Sequence, residues 1–511
     1  MKYGLPMLIL MLTFAGFTTM AQPISQRTCG THGEMATPMI ERLLRNIESL
    51  RNRPARPRGG TIYVPIKFHL VATTAGTGRV PESRVLDQLC ALNEDYAPIG
   101  VQFYLKNGTF NYINNTAVYS NHTATTNTIM SFARDNSALN IFIVDDASPA
   151  GGGLGTTLGY YSPVKDWLVM RRDEVSASSA TLPHEVGHFF SLDHPFNGWD
   201  SEPYDPAIHG IPAPATSPGG VPTEKADGSN CATAGDYICD TPADYNLGFG
   251  WNNCNYTGGA MDPMGLLVDP EERLFMGYFL DCPREDYFFS PMQQELVLED
   301  LDSPERNYVT PNYIPYQVEL DGLPELTYPI GGEVTAGYNS VNLQWNSVAG
   351  ATRYLVEIDQ LPTFSSTTAR YVVAGTNKIL TNLVANKTYF WKVRPYGEYH
   401  TCSTFTPAAN FKTGTVTNIG EISRVANWSV EPNPMSAGQE LNVNITSNES
   451  IEGTLTVLNA VGQVIYRLEN LQLSQGNHDL RIPSELLSRG VYVVALESED
   501  MLLTRRVVVG N

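Results

Sequence analysis

Residues 184–194 read His-Glu-Val-Gly-His-Phe-Phe-Ser-Leu-Asp-His. Two histidines four apart lie one turn apart on the same face of an α-helix, so His184 and His188 can aim ring nitrogens at a single ion. Glu185, beside the first of them, is better placed to take a proton from water at that ion than to bind it. Zinc suits this donor set, and it lowers the pKa of a coordinated water to roughly 7. A third protein ligand is then required. His194 lies six residues past His188, about 600° around a helix of 3.6 residues per turn, or about 240° net. On an unbroken helix it faces away, so it can join the site only if the helix stops first. Pro195 favours a stop, because the residue before proline avoids helical dihedrals. Asp193, Asp200, Glu202 and His209 are the competing third ligands. Ser191 marks the place where the chain must turn. A left-handed serine costs roughly 1–2 kcal/mol that glycine does not incur, so position 191 is either strained or part of a different turn.

The rest of the chain bounds what such a site could serve. At 511 residues it has room for several domains. A formal net charge of −20, with no Lys/Arg-rich patch, excludes a nucleic-acid binder. The N-terminus has one lysine, a short apolar run over 8–17 and then Thr19-Met20-Ala21, the layout of a secretory signal peptide over 1–21. The run is too short to span a bilayer comfortably, and no other segment approaches transmembrane length. Export makes the cysteines candidates for disulfides. Cys231, Cys239, Cys254 and Cys282 crowd one region and allow three pairings. Cys90 sits in an apolar pattern at helical spacing and reads as a buried thiol.

Residues 22–58 are weakly apolar and run into "RNRPARPRGG", which reads as an exposed, cleavable linker rather than packed structure. From Thr61 the pattern changes. "TIYVPIKFHLVA" reads as a strand, 81–97 as a helix, "GVQFYL" as a strand, 123–135 as helical and "ALNIFIVDD" as a buried strand. This alternation predicts an α/β layer ahead of the histidine motif. Residues 197–272 are rich in Gly, Pro, Asn and Asp, and need zinc, disulfides or calcium to hold them. A linker over 306–324 precedes 325–415, whose short alternating runs predict an all-β sandwich with Trp345 and Trp391 in its core. Residues 425–511 are again rich in strands and carry no chemistry.

The motif resembles the metzincin zinc signature H-E-x-x-H-x-x-G-x-x-H, with Ser191 in place of glycine. Metzincins also carry a methionine turn beneath the metal, and "LFMGYF" at 274–279 resembles it. That resemblance implies Met276 as the turn methionine and Tyr278 as the tyrosine that stabilises the oxyanion; Met264 in "DPMGL" ranks second. Over about 61–295 the chain is similar to the pappalysin family, on "HEVGHFFSLDHPF", "SNCATAGDYICDTPAD", "MGYFLDC" and "FSPMQ". The implied fold is a two-subdomain α/β (α+β) catalytic domain over 59–305, with a mixed twisted sheet, a zinc-binding helix and often structural calcium. Asp236, Asp240 and Asp244 are the candidate calcium donors. "RTCGTHG" resembles the family's latency segment, which makes Cys29 the zinc-blocking cysteine of a pro-segment over 22–58, with His32 as a second blocker. Asp281, just before Cys282, resembles the buried aspartate that selects Arg or Lys after the scissile bond in some members.

Residues 325–415 resemble a fibronectin type III module. "EPNP", "VLNAVGQVIY", "LLSRGVYVVAL" and "LLTRRVVV" make 425–511 resemble the C-terminal sorting domain of type IX secretion substrates. The expectation is a multidomain protein, a catalytic domain followed by two all-β sandwiches. It is a monomer exported through a bacterial periplasm by that machinery, to the cell surface or the medium. There it acts as a zinc endopeptidase on protein or peptide substrates. A surface adhesin with a non-catalytic metzincin-like scaffold is the competing reading, and a zinc amidase or deacylase the third.

Overall fold

The computed structural model describes residues 27–52, 60–125, 127–149, 155–311, 314, 318–365, 367–415, 425–436, 438–498 and 501–510. The signal-peptide stretch and the arginine-rich 53–58 lie outside them. The chain divides into two compact units, Met1–Gln317 and Val318–Asn511.

In chain order the first unit contains β1 (Arg27–Cys29), α1 (Thr37–Asn52), β2 (Ile62–Ala72), α2 (Glu82–Tyr96), β3 (Val101–Leu105), β4 (Asn111–Asn114), α3 (Thr116–Thr125), α4 (Asn127–Ala133), β5 (Leu139–Val144), β6 (Thr156–Ser162), β7 (Trp167–Arg171), α5 (Thr181–Phe189), α6 (Pro206–His209) and α7 (Pro291–Leu301). One seven-stranded sheet has the order β1-β6-β7-β5-β2-β3, with β4 also on β2. β2 and β5 are near-continuous apolar runs because both of their faces are covered, as parallel strands with helical crossovers require. The sheet is mixed: β6 runs antiparallel to β7, and β1 adds to β6 in parallel. The strands over 156–171 lack a clean alternation and were not anticipated from the sequence.

The sequence assigned no element to the stretch before "RPARPR", yet it folds, and the expectation for Cys90 needs correction. α1 is a sixteen-residue helix that buries Met39, Leu43 and Ile47. Their i, i+4, i+8 spacing is the stripe of a helix docked by one face. Cys90 is not a free thiol; it is only half-buried at the edge of the α2 stripe and is disulfide-bonded. Beyond α5 the chain is irregular over 197–272 apart from α6 and one short turn of 3₁₀ helix. Cys231–Cys239 and Cys254–Cys282 cross-link it. A small aromatic core containing Phe196, Trp199, Tyr245 and Phe279 fills it.

The second unit holds two sandwiches, each of a three-stranded and a five-stranded sheet. Trp345 and Trp391 share the core of the first, with Leu343, Val356 and Phe411. The second packs Leu441, Val443 and Ile445 against Val457, Val494 and Leu496. No described helix is long and apolar enough to cross a membrane.

Candidate metal centre

α5 is buried at all nine of its positions and lies against β6 and β7. Glycine at two positions allows this close fit. A Cβ on Gly159 of β6 would sit 3.1 Å from Glu185 Oε1, and one on Gly187 would sit 2.4 Å from Met276 Sδ. Met276, fully buried, therefore lies directly against the histidine helix, whereas Met264 is 69% exposed.

The helix ends as the third histidine requires. Leu192 N donates to Gly187 O and Ser191 N to His188 O, the paired bonds of a Schellman cap with Ser191 as its left-handed residue. Ser191 has φ 65°, so the strained alternative is the one observed. Its hydroxyl accepts from Asn46 Nδ2 at 2.9 Å, a partner that glycine would not offer.

With the helix stopped, His184, His188 and His194 converge. Their Nε2 atoms lie 3.2, 3.1 and 3.2 Å apart. Each Nδ1 is committed elsewhere: His184 donates to Phe275 O at 2.7 Å, His188 to Leu192 O at 2.8 Å and His194 to Asp200 Oδ1 at 2.6 Å. Carbonyl oxygens only accept, so in the neutral rings the Nε2 atoms carry lone pairs, and these face one another. Burial holds the rings neutral, lowering His184 to about 4 and His188 and His194 well below the usual range. Three converging lone pairs in a buried site repel unless a cation lies between them. Nitrogens bound at about 2.0–2.1 Å in a tetrahedron stand about 3.3–3.4 Å apart, close to the spacing found. The residues fit a metal ion.

Cys29 closes the group, because its Sγ and the three histidine donors all lie within 4.8 Å of one another. β1 brings it there, with Cys29 beside Gly159. The thiol lies 3.4 Å from His188 Nε2 and donates to Glu185 Oε2 at 3.4 Å, while Thr31 N donates to its sulfur. Burial and the charge of Glu185 push the thiol well up. Burial also raises the Glu185 carboxyl to about 8. Tyr278 packs edge-on to His194; its hydroxyl accepts from Cys29 N at 2.9 Å and donates to Cys29 O at 3.2 Å.

Other residues fall elsewhere. Asp200 is the partner of His194 rather than a ligand, and His209 pairs with Glu202 away from the site. His32 stands outside the four-residue group and lines a cavity with Asp193 and Asp200. Asp281 is exposed, which corrects the expectation of a buried pocket floor. Leu158, Thr181, Phe275, Leu280 and Tyr287 line the cavity beside Glu185; Asp281 is not among its lining residues. Asp240 is exposed, and both its oxygens are taken at the start of α7, by Ser290 Oγ at 2.6 Å and Met292 N at 2.7 Å. Asp236 and Asp244 are buried, and Asp236 Oδ2 has no hydrogen-bond partner. Sequence reasoning missed Glu224, whose buried Oε2 is also unpartnered. Burial first, then the charges of Asp236 and Asp244, raise Glu224 to about 9.

A buried carboxylate and two imidazoles on a short helix, joined by a third imidazole past its end and covered by a sheet strand from the same chain, define a metallopeptidase. Relatives agree. The chain is 32% identical over 249 residues to an extracellular metalloprotease of Sordaria macrospora, covering 44% of this chain and 70% of that one. It is 30% identical over 270 residues to one of Verticillium alfalfae, covering 47% and 80%. The chain belongs to this family of extracellular metalloproteases. Among solved structures, a Tannerella forsythia promirolysin mutant matches with TM-score 0.35 and 17% identity, over 56% of this chain and 97% of that one. Residues 429–510 match the secretion system C-terminal sorting domain, so the protein is secreted or displayed at the cell surface.

Proposed function

We propose that the protein is a zinc endopeptidase synthesised in a latent form, with His184, His188 and His194 as ligands and Cys29 in the remaining position. The observation that carries this reading is the buried four-residue donor group, three nitrogens and one sulfur, which is a composition zinc favours. When bound, zinc supplies a Lewis acid that polarises the peptide carbonyl and makes water acidic enough to attack at neutral pH.

The chain's own residues supply the rest. With the Cys29 segment gone, Glu185 faces the vacated position and takes the proton of the attacking water. It then delivers that proton to the leaving amine. A carboxyl raised by burial suits both halves of that transfer. The Tyr278 hydroxyl, now hydrogen-bonded to the backbone of Cys29, is freed to donate to the developing oxyanion. Met276 forms the apolar floor under the helix. The proposed preference for Arg or Lys after the scissile bond rests on Asp281 following Leu280, which lines the cavity beside Glu185, and peptide-library cleavage profiling tests it. Calcium, as a structural ion, would answer the unpartnered oxygens of Asp236 and Glu224, with Asp244 nearby in charge.

A non-catalytic adhesin has no use for a buried carboxylate beside three histidines. The test is casein hydrolysis by the purified protein. Wild type is expected to be latent until processed and then sensitive to chelators, whereas Cys29→Ala is active without processing. Latency unchanged in Cys29→Ala would overturn the role of the cysteine. Processed enzyme indifferent to chelator would overturn the metal mechanism.

A further inference from the structure

The segment that carries Cys29 is held by more than its cysteine. β1 offers three residues and one sulfur, while α1 follows with a docking face of its own. Met39, Leu43 and Ile47 are at most 3% exposed, so an apolar stripe of the helix is seated in the unit. Between them, two polar side chains reach into buried ground. Arg42 Nε lies 2.9 Å from Asp300 Oδ1, and its NH2 donates to Phe189 O at 2.9 Å. Asn46 Nδ2 donates both to Asp300 Oδ1 at 2.8 Å and to Ser191 Oγ at 2.9 Å. Ser49 Oγ donates to Glu299 Oε1 at 2.6 Å.

These contacts converge on the turn that ends the histidine helix. The Asp300 side chain is fully buried and is shared between Arg42 and Arg306, so losing α1 would strip it of one of its two cations. Removing one partner of a buried ion pair is far more costly than removing an exposed one. Loss of α1 would also uncover the apolar seat and leave the Ser191 hydroxyl without this donor. The serine that departs from the family motif is therefore the residue that α1 contacts.

We propose that α1 is a docking ligand of the catalytic unit that stays bound after the chain is cut within 53–58, so that cleavage and release of the Cys29 segment are separate events. This rests on the reading of Cys29 as the latency residue, but the docking is measurable without any activity. Of the arginines in 53–58, Arg58 alone is not followed by proline, so trypsin can hydrolyse the Arg58–Gly59 bond, water adding across it.

The experiment uses the full-length Glu185→Ala chain, which cannot process itself. It is nicked by trypsin, passed over a size-exclusion column, and the N-terminal fragment is quantified by mass spectrometry. The fragment is expected to co-elute with the remainder. Asn46→Ala should speed its loss at least tenfold. Ser191→Gly, which suits the positive φ and removes only the hydroxyl, should speed it several-fold. Arg45→Ala, which breaks an exposed pair with Glu305, should change it less than twofold. A wild-type fragment that separates as fast as the Asn46→Ala fragment would overturn the proposal. So would retention unaltered in both Asn46→Ala and Ser191→Gly. If Cys29→Ala proves no more active than wild type yet the fragment is retained, the latency reading fails and the docking stands.

Discussion

Along the strand Leu441–Ser447 of the last sandwich, buried and half-buried residues alternate at every position. Along α5 every residue is buried, and among them are two histidines and a glutamate. The strand obeys a local rule, apolar inward and polar outward, and its neighbours complete it. The helix obeys none that its own residues satisfy. It carries lone pairs that face each other and a carboxyl raised by burial, and it ends in a serine with positive φ. Each of these makes sense only with something added: an ion, a substrate or the N-terminal segment. Local consistency marks structure, and local conflict marks the site.

The contrast can be broken at several points. Glu185→Ala should lower kcat of the processed enzyme by about 10²–10⁴-fold, the range for general acid–base catalysis, and leave the melting of the sandwiches unchanged. Leu441→Ala should do the reverse. It should cost the last sandwich about 2–5 kcal/mol, read by denaturant melts, and spare casein hydrolysis. Asp200→Asn removes the carboxylate that orients His194, and should weaken metal retention against a competing chelator by about 10–100-fold.

A further break concerns pH. With calcium withheld, Glu224 holds its proton up to about pH 9 in the folded chain, against an ordinary value of 4.5. The folded form thus binds a proton that the unfolded form has released. The stability this contributes is complete below about pH 4.5 and is lost as pH rises through about 9. Thermal melts in chelator at pH 5, 7 and 9 should fall across that window. Glu224→Gln should flatten the fall, and added calcium should reverse it.

The sequence made the helix, its two histidines and the third beyond it legible because their spacing is a local property. It also showed that the helix must end near Ser191, since 240° separates His194 from the other ligands. The α/β layer was readable where strands are continuous apolar runs, as in β2 and β5. It was not readable in β6, where Gly159 and Tyr161 face the histidine helix and Tyr160 faces His122 on the other side of the sheet. α1 was hidden by its neighbours. The reading of the segment went no further than its weakly apolar character and "RPARPR", although Met39, Leu43 and Ile47 already carried a helical stripe. Asp281 was expected to be buried and Asp240 to be a calcium donor, and both are exposed, which their own sequence could not show. Burial of a carboxylate depends on contacts distant in sequence, and neither residue's neighbours reveal it. Glu224 was invisible for the same reason.

The central claim is that one buried site binds zinc through three histidines and, before processing, through Cys29. Zinc-edge X-ray absorption on the full-length protein tests it directly. The account predicts three nitrogen scatterers at about 2.0–2.1 Å and one sulfur at about 2.3 Å, with the sulfur absent from the processed enzyme. A full-length spectrum without sulfur would contradict it.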